Sequence, residues 1–314
     1  MEFPITEKTH THIMRRLAFA FIVLLIPVVL PAQDDLMNLL NANSAPEINY
    51  STATFKSTRI VNGHSIERMA PGQLDVRISH RFGTINSGAY NFWGLDQSNI
   101  HLGLEYGITK WLMAGIGRGS YQKTFDGFTK FSVLRQSTGA RVMPVSLSIF
   151  TSAALVSQHW PDETRTNYFS SRLAYTAQVL IARKFSPGLS FQLTPSYIHR
   201  NLVSTEMDPN DIYSIGAGGR VKVSKRISLN AEYYYMVNPK TYMSSQIYNP
   251  LSLGIDIETG GHVFQLLFTN SLAMIEKGFI GETAGSWKKG DIHFGFNLSR
   301  VFTLQKPQVR ENQK

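Results

Sequence analysis

The chain has 314 residues, no cysteine and a formal net charge of +9. The lack of cysteine excludes disulfides, thiolate metal sites and a lipid anchor on an N-terminal cysteine. The basic residues are scattered rather than clustered, so the positive charge does not indicate a nucleic-acid partner, and none is expected.

The chain begins with a segment typical of exported proteins. Arg15 and Arg16 precede an apolar run over 17–30, which Pro31-Ala32-Gln33 follows. This order predicts a signal peptide over residues 1–32, of which residues 1–13 form an upstream extension. The alternative of a membrane anchor is disfavoured, because the run is about 14 residues long and a spanning helix needs about 20.

Residues 33–73 separate the signal peptide from the regular part of the chain. They contain a linker, a run over 50–61 that alternates only weakly between apolar and polar residues, and a loop with two glycines and a proline over 62–73. We predict that this segment is an N-terminal arm or a plug of the domain that follows. Its candidate plug residues are Lys56, Arg59 and His64.

From Leu74 to Phe302 apolar and polar residues alternate in run after run, most clearly within 170–238. A period of two predicts β-strands with one apolar and one polar face, and runs of roughly 9–11 residues can cross a membrane as tilted strands. The sequence therefore predicts an all-β fold, an antiparallel up-and-down transmembrane β-barrel of about twelve strands over residues 74–302. Residues 303–314 are predicted to be a C-terminal tail.

The connections alternate between short turns and longer polar loops, the latter at 83–97, 157–169, 201–211, 238–250 and 271–289. Barrels of the outer membrane have short periplasmic turns and longer external loops. Such barrels have even strand numbers, so the weak run over 50–61 is not expected to be a barrel strand. Two further strands within 33–73 would instead give about fourteen.

Four segments resemble a family of outer-membrane β-barrels from Gram-negative bacteria whose function is not established. They are Thr54-Phe55-Lys56-Ser57-Thr58-Arg59, Ile78-Ser79-His80-Arg81-Phe82-Gly83, the segment 258–271 and the segment 290–302. The resemblance covers most of residues 50–302. It implies the fold and a location in the outer membrane, and it implies no catalytic residue.

The last strand is also partly similar to the signal that the barrel-assembly machinery reads. Gly295, Leu298 and Phe302 match that signal, whereas Arg300 and the tail after Phe302 depart from it. The machinery is an expected partner, together with outer-membrane lipid, lipopolysaccharide and a small solute.

The polar faces of the strands supply the candidates for lining the lumen. The charged candidates are Arg77, Arg81, Glu105, Lys130, Arg172, Arg220, Lys222 and Glu232. If the lumen is open, their mild basic excess favours anionic solutes. If the charges are paired, they fill a narrow lumen instead.

Passage or binding of a small solute or lipid-like molecule, in the manner of a porin, is the leading prediction for function. The alternatives are a non-conducting structural or adhesion barrel that uses its external loops and, third, a barrel hydrolase. A lumen blocked by residues 50–61 with paired charges would favour the structural barrel. A continuous polar path would favour a channel, and an apolar pocket with a side opening would favour lipid transport.

His64, Ser65 and Glu67 are the residue types of a hydrolase triad. Near neighbours in one loop rarely align as nucleophile, base and orienting acid. We therefore expect no enzyme. The histidines after residue 32 are scattered, with no spacing that would bring two or three together as metal ligands, so no metal site is expected either, and no cofactor.

Overall fold

The computed structural model describes residues 47–160, 162–237, 246–259 and 262–305. The predicted signal peptide and its upstream extension lie outside these residues, as does most of the predicted C-terminal tail. The chain divides into two units, Met1–Ile48 and Asn49–Lys314, and the barrel belongs to the second.

Twelve antiparallel strands pair in sequence order and close into a barrel, in which the last strand pairs with the first. The predicted fold and strand number are thereby confirmed. The strands are β1 (Gln73–Thr84), β2 (Ser98–Gly107), β3 (Leu112–Gly119), β4 (Thr124–Leu134), β5 (Ser146–Val156), β6 (Leu173–Ser186), β7 (Leu189–Arg200), β8 (Asp211–Lys222), β9 (Ile227–Met236), β10 (Leu251–Thr259), β11 (His262–Thr269) and β12 (His293–Thr303).

The barrel is apolar outside and polar inside, the reverse of a water-soluble protein. In β9, Leu229 and Tyr233 are exposed on the outer face, while Ser228, Asn230 and Glu232 are buried on the inner face. A continuous apolar exterior of this extent needs a non-aqueous neighbour, and closure leaves no unpaired edge that lipid would have to solvate.

The remaining elements are short. Among the described residues they are strands at Ile48–Tyr50 and Ser137–Gly139, 3-10 turns at Ile85–Ser87, Ala89–Gly94, Tyr121–Lys123, Phe169–Arg172 and Trp287–Lys289, and one α-helix, α1 (Glu276–Gly281). None of the helices within the described ranges has the length and apolar character needed to span a bilayer.

Residues 52–70, termed the plug, lie inside the barrel and contribute no strand to its wall. Their centre is a hairpin, in which Ile60 N donates to Gly63 O at 2.9 Å and Ser65 N donates to Thr58 O at 2.9 Å. At the short-turn end, the plug leads directly into β1. The plug therefore enters the lumen from the end that carries the short turns.

The plug brings an apolar core into a lumen that is otherwise polar. Its Phe55, Ile60, Val61 and Ile66 pack against buried wall residues, namely Met113, Phe128, Phe150, Leu180, Ala182 and Leu267. In the strands that carry these wall residues, a side chain that points into the lumen is apolar, which breaks the alternation of apolar outward and polar inward residues. The sequence analysis did not anticipate this core.

The connection between β11 and β12, residues 270–292 and termed the inner loop, also folds into the barrel. The residues of α1 are buried, and Phe279 packs edge-on against Tyr234 of β9 with ring centroids 5.1 Å apart. The prediction of a polar external loop over 271–289 was therefore wrong for its middle part. The apolar residues Met274, Phe279 and Ile280 draw it inward.

Candidate functional site

The tip of the plug hairpin is held by a carboxylate of the barrel wall. Glu232 of β9 accepts hydrogen bonds from three consecutive backbone N–H groups, those of Val61 at 3.2 Å, Asn62 at 2.6 Å and Gly63 at 3.1 Å. Successive backbone N–H groups that converge in this way form a nest for an anion. The wall thus binds the backbone of the plug at the tip of its hairpin.

Asn62, at the same tip, joins two strands of the wall that lie three places apart in the barrel, β1 and β10. Its Oδ1 accepts a hydrogen bond from Arg81 Nη2 at 2.7 Å, and its Nδ2 donates to Ser252 Oγ at 2.9 Å. Arg81 also donates through Nη1 to Asn297 Oδ1 at 3.0 Å. The buried guanidinium is therefore held by amide oxygens of both the plug and the wall.

Other wall side chains bind carbonyl groups of the plug. Lys130 Nζ donates to Ser65 O at 2.9 Å and to Glu67 O at 2.7 Å, and Gln192 Nε2 donates to His64 O at 2.8 Å. Arg220 Nη1 donates to Ala53 O at 3.2 Å. Buried polar groups need such partners, so the predicted lumen charges serve here as backbone ligands.

A cluster of five charged residues, termed the ion cluster, crosses the lumen. Its members are Asp75, Arg77 and Glu105 of the wall, Arg59 of the plug and Glu276 of the inner loop. Arg59 Nη2 lies 3.2 Å from Glu105 Oε1, and Arg59 Nη1 lies 3.5 Å from Glu276 Oε1. Arg77 bridges Glu105 to Asp75, with Nη2 2.9 Å from Asp75 Oδ2. Thr58 of the plug also donates to Glu105.

Glu276 is the contact between the plug and the inner loop. It is the first residue of α1 and is buried beside the Arg59 guanidinium. Burial, which penalises the charged form, raises the pKa of its carboxyl group to about 7, although Arg59 acts in the opposite direction. The charge of Glu276 therefore changes near neutral pH.

His64 is enclosed by aromatic rings. Its ring centroid lies 4.5 Å from that of Phe128 and 4.2 Å from that of Phe150. Neither ring nitrogen makes a hydrogen bond, and the nearest carboxylate oxygen, Glu276 Oε1, lies 3.9 Å from Nε2. Burial and the nearby cations Arg59 and Lys130 lower the pKa of His64 well below its usual value. The imidazole is therefore neutral and behaves as part of the apolar core of the plug.

The geometry at His64, Ser65 and Glu67 does not form a triad. Ser65 Oγ donates to Ser57 O at 2.6 Å, and Glu67 Oε1 accepts from Thr54 N at 2.7 Å. No hydrogen bond joins any two side chains of these three described residues. Their side chains instead fold the plug.

Two cavities lie at the two ends of the filled section. One of 510 Å³, termed the mouth pocket, opens at the long-loop end beside α1, and its lining includes Tyr121, Trp160, Arg172, Arg200, Lys277 and Glu282. One of 230 Å³ opens at the short-turn end between the plug and the wall. Between them lie the ion cluster and the apolar core, so the described part of the lumen is closed.

Six of the eight charged lumen candidates are buried around the plug, namely Arg77, Arg81, Glu105, Lys130, Arg220 and Glu232. Lys222 has the inward parity but is exposed at the short-turn end, because it is the last residue of β8. Arg172 precedes β6 in a 3-10 turn and lines the mouth pocket instead.

The three plug candidates also lie in different places. Arg59 and His64 are buried in the lumen. Lys56 forms an ion pair with Glu258 near the short-turn end, where the two side chains are 18% and 40% exposed.

The sequence analysis missed two groups in this site. One is Asn62, whose side chain bonds both β1 and β10, and the other is Glu276, which lay in a predicted external loop. The apolar residues around Glu276 were the available signal. Nothing in the sequence pointed to Asn62.

The fold and the filled lumen define the class of protein, which is a membrane-bound β-barrel closed by its own N-terminal segment. The chain belongs to the family of the membrane bound beta barrel domain (DUF5777), whose model matches residues 55–302. The predicted family resemblance is thereby confirmed. No curated protein matches the chain significantly.

Several solved barrels of outer membranes have a similar fold. The NanC porin is 8% identical, with 74% of this chain and 100% of that chain covered and a TM-score of 0.45. The KdgM porin is 8% identical, with 74% and 99% covered and a TM-score of 0.43. An outer membrane channel from Pseudomonas putida F1 is 12% identical, with 75% and 97% covered and a TM-score of 0.47. Likenesses at this level do not identify a solute for this chain.

Proposed function

We propose that the protein is a gated barrel of the outer membrane, through which a small solute passes when the plug leaves its place. The observation that carries the proposal is that part of the wall beneath the plug is polar, beside the apolar residues that the plug also covers. Arg81, Gln192 and Glu232 are buried on the inner face of the wall, and each makes a hydrogen bond with the plug. Without the plug, these groups would line a hydrated path.

The way in which the plug is attached supports release. Wall side chains hold it by individual hydrogen bonds, and no ladder of backbone bonds joins it to a described barrel strand. Buried ion pairs such as Arg59 with Glu105 contribute little net stability, because their desolvation offsets their attraction. A permanent filling would be more stable with apolar contacts at these positions.

The outer membrane is the proposed location. The apolar exterior, the alternation of short turns with longer loops and the predicted signal peptide support it. Separation of the inner and outer membranes of a Gram-negative host that expresses the full chain tests this. Recovery with the inner membrane would contradict it.

The second candidate is a non-conducting structural or adhesion barrel. The closed lumen with its paired charges favours it, since a lumen filled in this way needs no gate. The two candidates differ in one property, which is whether the plug ever moves.

A disulfide between plug and wall tests that property directly. A Cβ atom built on Gly254 of β10 would lie 3.3 Å from Val61 Cγ2 of the plug. Val61 Cγ2 occupies a position that the Sγ atom of a cysteine can take, so cysteines at both positions are close enough for a disulfide. The chain has no cysteine of its own. The variant Val61→Cys/Gly254→Cys would therefore form a single defined crosslink.

The measurement is ion conductance in planar bilayers, together with swelling of liposomes in small sugars. We expect intermittent conductance of the unmodified barrel, none from the oxidised variant, and recovery after reduction. The two single-cysteine variants are the controls. If the unmodified barrel conducts no ions at any applied voltage, or if the oxidised and reduced variant conduct equally, the structural barrel is supported instead.

A further inference from the structure

The mouth pocket is built from the barrel rim and the inner loop. Arg172 ends the 3-10 turn that precedes β6, and Arg200 is the last residue of β7, where it pairs with Ala174 of β6. Lys277 comes from α1. A volume of 510 Å³ lies within the range that small-molecule sites have. The pocket is thus large enough for a solute of one or two sugar rings.

The two arginines are fixed in position. Arg172 stacks on Trp160, with Cζ 4.2 Å from the ring centroid, and its Nη1 donates to Val156 O at 2.8 Å and to Gln158 O at 2.6 Å. Arg200 Nη2 donates to Pro209 O at 2.7 Å. In each guanidinium the other terminal nitrogen makes no hydrogen bond within the described residues. Carbonyl groups orient these cations, and the carboxylates of Glu282 and Asp208 lie near enough to attract Arg200.

The acids of the same pocket are already engaged. Glu282 pairs with Lys277, with Oε1 2.7 Å from Nζ, and accepts a hydrogen bond from Gln122. Asp208 accepts hydrogen bonds from both Thr205 N and Thr205 Oγ1 at 3.1 Å in its own turn. With these two carboxylates set against Lys277 and the two arginines, the pocket keeps a net positive charge.

We propose that the mouth pocket binds a small solute that carries a carboxylate, which the free guanidinium nitrogens of Arg172 and Arg200 bind. Planar guanidinium groups suit carboxylates because they offer parallel N–H donors. This inference rests on the proposed function and specifies it, since it names the chemical class of the solute.

The pocket lies next to one of the contacts that the plug makes. Lys277 lines the pocket, and the preceding residue, Glu276, contacts Arg59 of the plug. An occupant that changes the position of α1 therefore acts on the same helical turn that contacts the plug. Binding at the mouth and movement of the plug are joined through α1.

The test compares two sugars that differ mainly in one carboxylate. Binding of D-glucuronate and of D-glucose to the refolded barrel in detergent is measured by isothermal titration calorimetry at constant ionic strength. We expect glucuronate to bind at least tenfold more tightly than glucose. Arg172→Gln and Arg200→Gln should each weaken glucuronate binding about tenfold, the loss expected of one charged hydrogen-bond donor.

The matched control is Arg118→Gln, since Arg118 lies over Phe125 away from the pocket lining. Equal affinity for the two sugars, no binding of glucuronate at millimolar concentration, or unchanged affinity of both pocket variants would overturn the inference. The titration is repeated on the oxidised Val61→Cys/Gly254→Cys barrel. A barrel that conducts but does not bind glucuronate refutes the ligand class, whereas one that binds but never conducts refutes the gate.

Discussion

Replacement of Glu232 by alanine should release the tip of the plug from the wall, while the twelve strands remain paired in a closed sheet. The carboxylate accepts the N–H groups of Val61, Asn62 and Gly63, at distances of 2.6 to 3.2 Å for the shortest bond to each. Its removal leaves three buried donors without their acceptor. It also removes a buried negative charge from the neighbourhood of Arg81.

The magnitude follows from the cost of unpaired buried donors. Each costs about 1–3 kcal/mol. Water that enters the space of the lost carboxylate satisfies part of this demand, so we expect a loss of about 3 kcal/mol in the stability of the docked plug. Such a loss raises the population of the undocked plug about a hundredfold.

Limited proteolysis with trypsin measures that population, because Lys56 and Arg59 provide cleavage sites that docking protects. We expect cleavage within the plug about a hundredfold faster in Glu232→Ala, while circular dichroism shows an unchanged sheet content. The matched control is Glu258→Ala. Its ion pair with Lys56 is 18% and 40% exposed and should contribute less than about 1 kcal/mol. Equal cleavage rates in the two variants would refute the reasoning.

Three further predictions concern single buried positions. Glu276→Gln should remove a loss of stability at high pH. Because the pKa of Glu276 is raised to about 7, its contribution to folding stability is present below the unfolded value of 4.5 and is lost as the pH rises through 7. The melting temperature of the variant should therefore exceed that of the unmodified barrel at pH 8.5 but not at pH 4.5. His64→Leu should leave the free energy of unfolding unchanged or raise it by up to about 1 kcal/mol, because both ring nitrogens are buried without hydrogen bonds. A fall of several degrees in melting temperature would contradict this and would show that the imidazole has a stabilising polar partner. Gly107→Ala should lower the melting temperature, since the new Cβ would lie 2.1 Å from Ala70 O, whereas Gly219→Ala, with its nearest atom at 3.7 Å, should not.

The barrel wall could be predicted from the sequence because each strand carries its own signal. Alternation along 227–236 fixes which side chains face lipid and which face the lumen, without knowledge of any other strand. Because such barrels have an even number of strands, the run over 50–61 was then excluded from the wall. The inward position of Arg77, Glu105 and Glu232 follows from the same local rule.

The partners of those charges could not be predicted, since they depend on contacts between distant parts of the chain. Arg59 and Glu276 are 217 residues apart in sequence, and nothing local to either specifies the other. The apolar inward residues Phe150, Leu180 and Leu267 break the alternation. That irregularity marks where the wall meets the plug, but it can be interpreted only when the plug is known to be inside.

The plug's partners have a consequence for the order in which the molecule is built. The plug precedes every barrel strand in the chain, yet Asn297 of β12 donates to its Val61 O at 3.0 Å across 236 residues. Contacts of such long range form late, because the intervening chain must first be brought together. The segment synthesised before the wall therefore finds its full set of ligands only after β1 and β12 have joined, and resistance to protease within residues 52–70 reports that assembly of the barrel is complete.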